Sequence, residues 1–396
     1  MQDRRPNPLR RGFLWLARRF GRGSQAWPAV ARPDEPAVNA STKVHIIANY
    51  LPQFHPIPEN DQWWGPGFTE WTNVVRAVPQ FSGHRQPRFP ADLGFYDLRL
   101  AEVREAQANL ARQYGITAFS YYYYWFDGRR ILSRPLDEVL VTGKPDFPFL
   151  ICWANEPWTR NWDGLGNEIL LPQNYKPGWA AAFAADIAPI LADPRYLRLN
   201  GKPVLAIYRV MHIPDAKQAV QRLREVLAQQ GSPDVHIIAA KVQFEDDGAL
   251  PPQAVDLGVD AYFEFPPHGI FGKRLWHGKL PGRSKNFAGA VNDYPATVDA
   301  VVSEFSRVTS PYYRGVMTGW DNTPRRRARG WLFHDATPAH FQRWLRATII
   351  QARAEAWAPE TAVFINAWNE WAEGAYLEPD SDFGRGWLEA VAAATR

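Results

Sequence analysis

VHIIANYLPQF, residues 44–54, is an apolar, β-branched run that stops at Leu51-Pro52. A strand that is apolar along its whole length is buried on both faces, and strands buried on both faces belong to parallel sheets. Two architectures wrap such a sheet in helices: the closed (β/α)8 barrel and the open doubly wound sheet. The open sheet usually declares itself with a glycine-rich turn after its first strand. Here that turn reads Leu51-Pro52-Gln53-Phe54, with no glycine. The stretch therefore favours the barrel.

The rest of the chain repeats the pattern. Further strand-like runs are ITAFSYYYYW (116–125), PFLICWA (148–154), PVLAIYR (203–209), VHIIAAK (235–241), DAYFEF (260–265), YRGVMTGW (313–320) and AVFINAW (362–368). Helical patterns fall near 97–114, 133–142, 178–192, 215–230, 296–307 and 338–356. Eight strands over about 350 residues predict a single (β/α)8 TIM barrel with long βα loops. The chain has 396 residues, of which 46% are hydrophobic, enough for one large core.

Charge is distributed unevenly. Residues 1–40 hold eight arginines and three acids, whereas the remaining 37 basic and 38 acidic residues nearly cancel. The body has no global basic field for a nucleic-acid partner. The first 40 residues read as a basic, mostly disordered N-terminal arm, and residues 41–396 as the catalytic domain. Phe13, Leu14, Trp15 and Leu16 lie among the arginines, so the arm could make peripheral contact with an anionic membrane; an inert tail is the competing reading. GFLWLA (12–17) is short for a secretory signal and is followed by Arg18 and Arg19. No apolar run is long enough to span a bilayer. With the lone Cys152, these features favour a cytoplasmic location, or a peripheral one at the inner membrane through the arm.

In a TIM barrel the active site lies where the strands end. Ten of the eighteen tryptophans fall in the segments after strands one, two, three, seven and eight, where core tryptophans would scatter. Indole beside amide, carboxylate and guanidinium suits a sugar, whose C–H faces stack and whose hydroxyls need polar partners at the rim. The expected substrate contacts after strand one are Trp63, Trp64, Glu70 and Trp71. Strand two adds Tyr122, Tyr124 and Trp125. Alternation sends only half of the run Tyr121–Tyr124 inward. Strand three adds Asn155, Glu156, Trp158 and Arg160, and strand seven adds Trp320, Asp321 and Arg325. Strand eight adds Trp368, Asn369, Trp371 and Tyr376.

AWNEWAEGAYLEPD (367–380) sets Glu370 and Glu373 three residues apart, between and beside tryptophans. One reading makes Asn369 a helix cap with two acids at the positive end. Gly374 arrives too soon for a helix worth capping. The other reading is a glycosidase pair on one side of a helical turn, with indoles raising one pKa by desolvation.

Five segments together, YLPQFHPIPENDQWWGPGFTEWTNV, YYYYWFDG, CWANEPWTRNWDG, GWDNTPRR and NAWNEWAEGAYLEPD, resemble the WbsX-type, glycoside hydrolase family 99-like family over about residues 44–394. This family is met among bacterial surface-polysaccharide and O-antigen biosynthesis proteins. The resemblance implies a (β/α)8 enzyme acting with retention on an oligo- or polysaccharide. It implies Glu370 as the base that deprotonates the sugar's own 2-hydroxyl, which attacks the anomeric carbon. Glu373 is then the acid for the leaving group, and no metal or organic cofactor is implied. One departure is Asn155-Glu156-Pro157-Trp158, where the family pattern has Asn-Glu-Asn-Trp; Pro157 stiffens the loop and removes a donor.

Members of the family are also labelled glycosyltransferases, which leaves a transferase as the first alternative and a non-catalytic carbohydrate-binding barrel as the second. Asp380-Ser381-Asp382 spells a nucleotide-sugar metal motif, but its place after Glu373 reads as a loop with Asp382 capping a helix. Asp246-Asp247 is a weaker match still. His45, His55 and His84 lack metal-ligand spacing.

Overall fold

The computed structural model describes residues 42–159, 168–232, 234–242, 253–305, 308 and 310–396. The chain divides into two units, 1–37 and 38–396, and the described residues all belong to the second. The expected arm, Arg160 and Asp246-Asp247 lie outside the described residues.

Eight parallel strands close into a barrel: β1 (Lys43–Tyr50), β2 (Ala118–Phe126), β3 (Phe149–Trp153), β4 (Lys202–Ile207), β5 (His236–Lys241), β6 (Ala261–Glu264), β7 (Tyr312–Met317) and β8 (Glu360–Asn366). Neighbours in sequence are neighbours in the sheet, and β1 closes the ring by pairing with both β2 and β8. Ile47 lies opposite Ala118 on one side and Phe364 on the other. The barrel expected from the first strand is the fold observed. Burial on both faces is plainest in β3, where Phe149 to Trp153 are all buried. Each fully buried Val, Ile, Leu or Phe contributes about 1.5–3 kcal/mol, which is why these strands tolerate so few polar residues.

Helices α1 (Ala101–Gln113), α2 (Arg134–Thr142), α3 (Trp179–Leu191) and α4 (Ala216–Gln229) follow the first four strands. Helices α5 (Tyr294–Ser303), α6 (Pro338–Ala354) and α7 (Gly386–Thr395) follow β6, β7 and β8. Between β5 and β6 the described residues hold only a 3-10 turn, Ala254–Leu257. Local chemistry sets the boundaries. α1 starts four residues later than its periodicity suggested, because Asp97 accepts from the Arg99 amide in a preceding turn (2.8 Å). α5 starts two residues earlier, because Asp293 caps it by accepting from the Ala296 amide (2.8 Å) and Pro295 fits the first turn. α4 buries Val220, Leu223, Val226 and Leu227, the stripe that a 3.6-residue period puts on one face.

Two additions matter for the site. The loop after β1 runs to Leu100 and carries two short helices, Pro58–Trp64 and Glu70–Val75. The loops after β6 and β7 are joined by parallel three-residue strands, Val291–Asp293 and Leu332–His334. Among the described residues no helix is long and apolar enough to cross a membrane.

Candidate active site

The stretch after β8 is a tight hairpin rather than a helix. Asn369-Glu370 pairs antiparallel with Ala375-Tyr376, and Trp371–Glu373 forms one 3-10 turn between them. With three residues per turn, positions i and i+3 eclipse, so Glu370 and Glu373 project on the same side. Gly374 closes the turn at φ +60°, and a Cβ there would lie 3.0 Å from the Arg88 guanidinium and from Asp321 Cβ. Both the left-handed backbone and the close approach demand glycine. Its early arrival ends the turn at Glu373.

Both carboxylates meet one cation. Arg325, on the short helix after β7, donates from Nη2 to Glu370 Oε2 (3.0 Å) and from Nη1 to Glu373. Its Nε donates to Glu70 Oε2 (3.1 Å). Three loops, after β1, β7 and β8, thus converge on one guanidinium. The site is nearly dry: side-chain exposure is 0% for Glu70, 6% for Glu370, 7% for Arg325 and 20% for Glu373. Burial pushes the Glu370 carboxyl up to about 8, against the opposing pull of Arg325 and with added repulsion from Glu373 and Glu70. Burial raises Glu373 as well. One cation cannot neutralise three acids, so the cluster keeps a proton near neutrality.

An aromatic wall faces this cluster. Burial, and then the charge of Glu370, push the Tyr122 and Tyr124 phenols up. Tyr124 meets Trp158 edge-on (5.3 Å between centroids), and Trp158 meets Trp63 (5.5 Å). Tyr121 and Tyr123 point the other way and are buried. Trp64 sits against Phe68 at 5.9 Å. Trp320, at the far side, packs edge-on to Phe271 (5.8 Å). Glu156 reaches Arg209 (2.6 Å) and keeps 38% of its side chain exposed.

Several expected sugar contacts have other partners. Asn369 accepts from the Leu51 amide at Oδ1 (2.7 Å) and donates from Nδ2 to the Leu51 carbonyl (3.0 Å). Asn155 does the same to Arg209, at 2.7 and 2.8 Å. Both amides fasten the backbone, and their Nδ2 groups also donate to Tyr96 and Tyr175 hydroxyls, at 3.3 and 2.9 Å. Asp321 is buried and accepts from His84 Nε2 (2.8 Å), Gln86 Nε2 (2.6 Å) and the Thr323 hydroxyl (2.7 Å). Burial alone would raise its carboxyl, but these bonds and the nearby Arg88 hold it well below the usual range. Gln80 N–H donates to His84 Nδ1 (3.0 Å), so Nε2 carries the proton that His84 gives to Asp321.

Trp71, Trp125, Trp368, Trp371 and Tyr376 are buried beneath the site. Trp371 stacks on Tyr376 at 3.8 Å and donates to Glu378 (2.7 Å). Trp125 packs between Trp153 and Phe183. These side chains support the site from behind. Asp382 caps no helix: Asp380 accepts from the amides of Asp382 (2.9 Å) and Phe383 (2.5 Å), and α7 starts later, at Gly386.

Sequence reading missed four contributors. Tyr208 and Arg209 end the strand PVLAIYR, where the rule of strand ends would have found them. Tyr208 bonds His268 (3.1 Å), in the loop after β6. Glu378 accepts from Trp371, Tyr96 (2.8 Å) and Gln107 (2.6 Å) with no cation among these partners, and burial pushes its carboxyl up to about 7. No local pattern marks it.

The fold is a closed (β/α)8 barrel, and the dry carboxylate cluster lies at its C-terminal mouth, where such barrels hold their active sites. The family described as glycosyltransferase WbsX matches residues 46–391, and the chain belongs to that family. An uncharacterised protein, WxcX of Xanthomonas campestris pv. campestris (strain ATCC 33913), is 41% identical over 376 residues, covering 94% of this chain and 52% of its own length. The WxcX protein of strain B100 is 42% identical over 353 residues, covering 88% and 49%. The chain spans about half the length of the curated relatives it matches. Among solved structures, a glycoside hydrolase-like protein aligns with TM-score 0.56 at 16% identity, over 92% of this chain and 97% of that one. The GH99 endo-alpha-mannosidase from Bacteroides thetaiotaomicron, in complex with bis-tris-propane, aligns with TM-score 0.52 at 15% identity, over 89% and 96%. At such identities the likeness establishes the fold.

Proposed function

We propose that this chain is a retaining glycosidase or transglycosylase acting on bacterial surface polysaccharide or its lipid-linked precursor. The observation that carries the reading is the turn that sets Glu370 and Glu373 side by side on Arg325 with too little positive charge to ionise all three acids. Glycosidic cleavage needs one carboxyl that holds a proton and one that does not. Desolvation by Trp-lined walls and a single shared cation supply that asymmetry. In the proposed scheme Glu370 takes the proton of the sugar 2-hydroxyl, the 2-oxygen attacks the anomeric carbon, and Glu373 protonates the departing oxygen. Water or a second sugar then opens the anhydro ring with the roles reversed. Burial raises both carboxyls, so the pair holds a proton between them. The scheme needs it on Glu373 once sugar is bound. Arg325 already touches both groups, and a hydroxyl donating to Glu370 would favour its ionised form.

The chain is incubated with its host's surface polysaccharide, with no nucleotide sugar, and products are followed by mass spectrometry. Fragments that appear with the wild type and vanish with Glu370→Gln support the reading. With an activated aryl glycoside of the released sugar, Glu373→Gln regains rate and Glu370→Gln does not; the opposite pattern exchanges the two roles. The family description favours a second reading, glycosyl transfer from an activated donor. Silence without nucleotide sugars, followed by chain extension once they are added, would establish it. Sugar binding without turnover in either assay would leave a carbohydrate-binding barrel.

A further inference from the structure

Two loop segments beside the site are strongly cationic, although Asp293 closes the first loop and Asp321 and Asp335 flank the second segment. Residues 266–292, after β6, contain Lys273, Arg274, Lys279, Arg283 and Lys285 and no acid. Residues 322–334, after β7, contain Arg326, Arg327 and Arg329 beyond the buried Arg325, again with no acid. All eight side chains other than Arg325 are exposed. The contacts seen for them are with neutral groups: Arg274 donates to the Lys273 carbonyl (3.0 Å), and Arg283 donates to the Phe287 carbonyl (3.0 Å).

The loops form one surface. The Ala288 amide donates to the Ala328 carbonyl (2.8 Å), and the Leu332 amide to the Ala290 carbonyl (3.0 Å). Gly289 lies so close to Gly330 that a Cβ would fall 1.8 Å from its carbonyl oxygen. Phe271 bridges Trp320, Trp331 and Phe333 beneath them. In a body whose 37 basic and 38 acidic residues nearly cancel as a whole, a cationic surface concentrated on two locked loops matches a polyanion.

The surface also has a direction. Arg326 follows Arg325, whose Nη1 holds Glu373, and the Asp321 amide donates to the Glu373 carbonyl (2.5 Å). The cationic surface therefore begins at Glu373, the group that protonates the leaving oxygen in the reading above, on which this inference rests. The pocket itself carries three carboxylates against one arginine and repels an anionic sugar. We infer that the substrate is an acidic glycan cleaved at a neutral sugar, with carboxylate- or phosphate-bearing units on the leaving-group side lying along Arg326, Arg327, Arg329 and the loop 273–285. A membrane of anionic lipids is the other polyanion that fits the charge. Continuity with Glu373 favours the glycan, since a chain held at the pocket must leave it across this surface.

Binding is measured separately from turnover, by calorimetry with oligogalacturonate and neutral dextran of matched length, and by sedimentation with phosphatidylglycerol vesicles. The protein is used with Glu370→Gln, so that cleavage does not consume the probe. The inference expects oligogalacturonate to bind, dextran to bind at least tenfold more weakly, and any vesicle binding, such as the basic arm could supply, to be unchanged by R326A/R327A/R329A. Raising salt from about 0.05 to 0.5 M shortens the screening length from roughly 14 to 4 Å and should abolish the difference. R326A/R327A/R329A should lose at least tenfold, while R222A/R343A, which removes cations elsewhere, should not. Vesicle binding that R326A/R327A/R329A abolishes would overturn the inference, as would equal binding of both sugars or a triple variant like its parent. If oligogalacturonate binds as expected but the polysaccharide assay shows no release, the surface stands and the glycosidase reading falls.

Discussion

Glu370→Gln should make this protein more stable in alkali. The Glu370 carboxyl is pushed from its ordinary 4.5 to about 8 by burial, so the folded chain keeps a proton there that the unfolded chain has already lost. A raised carboxyl lowers stability as pH climbs through the window from about 4.5 to 8, because folding must then take up a proton or bury a charge. Three and a half units at about 1.4 kcal/mol each set a ceiling of about 5 kcal/mol. Glu373 shares the same dry surroundings and the same Arg325, so the two titrate as a pair and the gain is about half the ceiling, roughly 2–3 kcal/mol. Glutamine keeps an oxygen for Arg325 but cannot ionise. At pH 5 both proteins present a neutral group and should unfold alike. At pH 9 the variant should be the more stable by that amount. Urea unfolding followed by tryptophan fluorescence at pH 5, 7 and 9 gives the comparison. An offset between variant and wild type that is the same at pH 5 and pH 9 would show that Glu370 titrates normally, and the account of a proton-holding cluster would fail.

Gly374→Ala should cost about 1–3 kcal/mol, since it combines a left-handed backbone with a Cβ 3.0 Å from Arg88, and glycan turnover should fall with it. Asn155→Ala removes the side chain that bonds both backbone groups of Arg209 and should lower urea stability by about 2–4 kcal/mol. Cys152 is fully buried and its thiol is pushed far up by burial, so it should resist a thiol reagent in the native protein and react at the rate of global opening.

The fold was legible because β3 is apolar throughout, β1 is apolar but for Lys43, His45 and Asn49, and the turn at Leu51–Phe54 lacks glycine. The gathering of Glu70, Arg325, Glu370 and Glu373 was legible as membership, since each follows a strand end. Its geometry was not. Nothing in the spacing says that three acids share one arginine, because the shared cation comes from a loop 45 residues from Glu370 in the chain. The structural bonds of Asn155, Asn369 and Asp321 were hidden for one reason. A polar residue beside tryptophan at a strand end has the same composition whether it faces a ligand or a backbone, and only the count of its bonds separates the two. The stacking of Trp371 on Tyr376 was hidden likewise, since it leaves no trace in composition.

The paired bonds of Asn369 and Asn155 extend the barrel beyond its strands. A carboxamide has the same donor and acceptor as a peptide unit, and here it meets both the N–H and the C=O of one residue across the ring, as a ladder rung does. Leu51 lies one residue, and Arg209 two residues, past the end of its strand. Each is gripped by a side chain standing in for a missing strand. The next residue after each asparagine is a glutamate, Glu370 in one case and Glu156 in the other. Rigidity that ordinarily stops at the rim of a sheet is thereby carried one step outward, to the base of each acid. The amide protons of Leu51 and Arg209 should then exchange with solvent as slowly as those inside β1 and β4, which marks the mechanical edge of the scaffold at the carboxylates themselves.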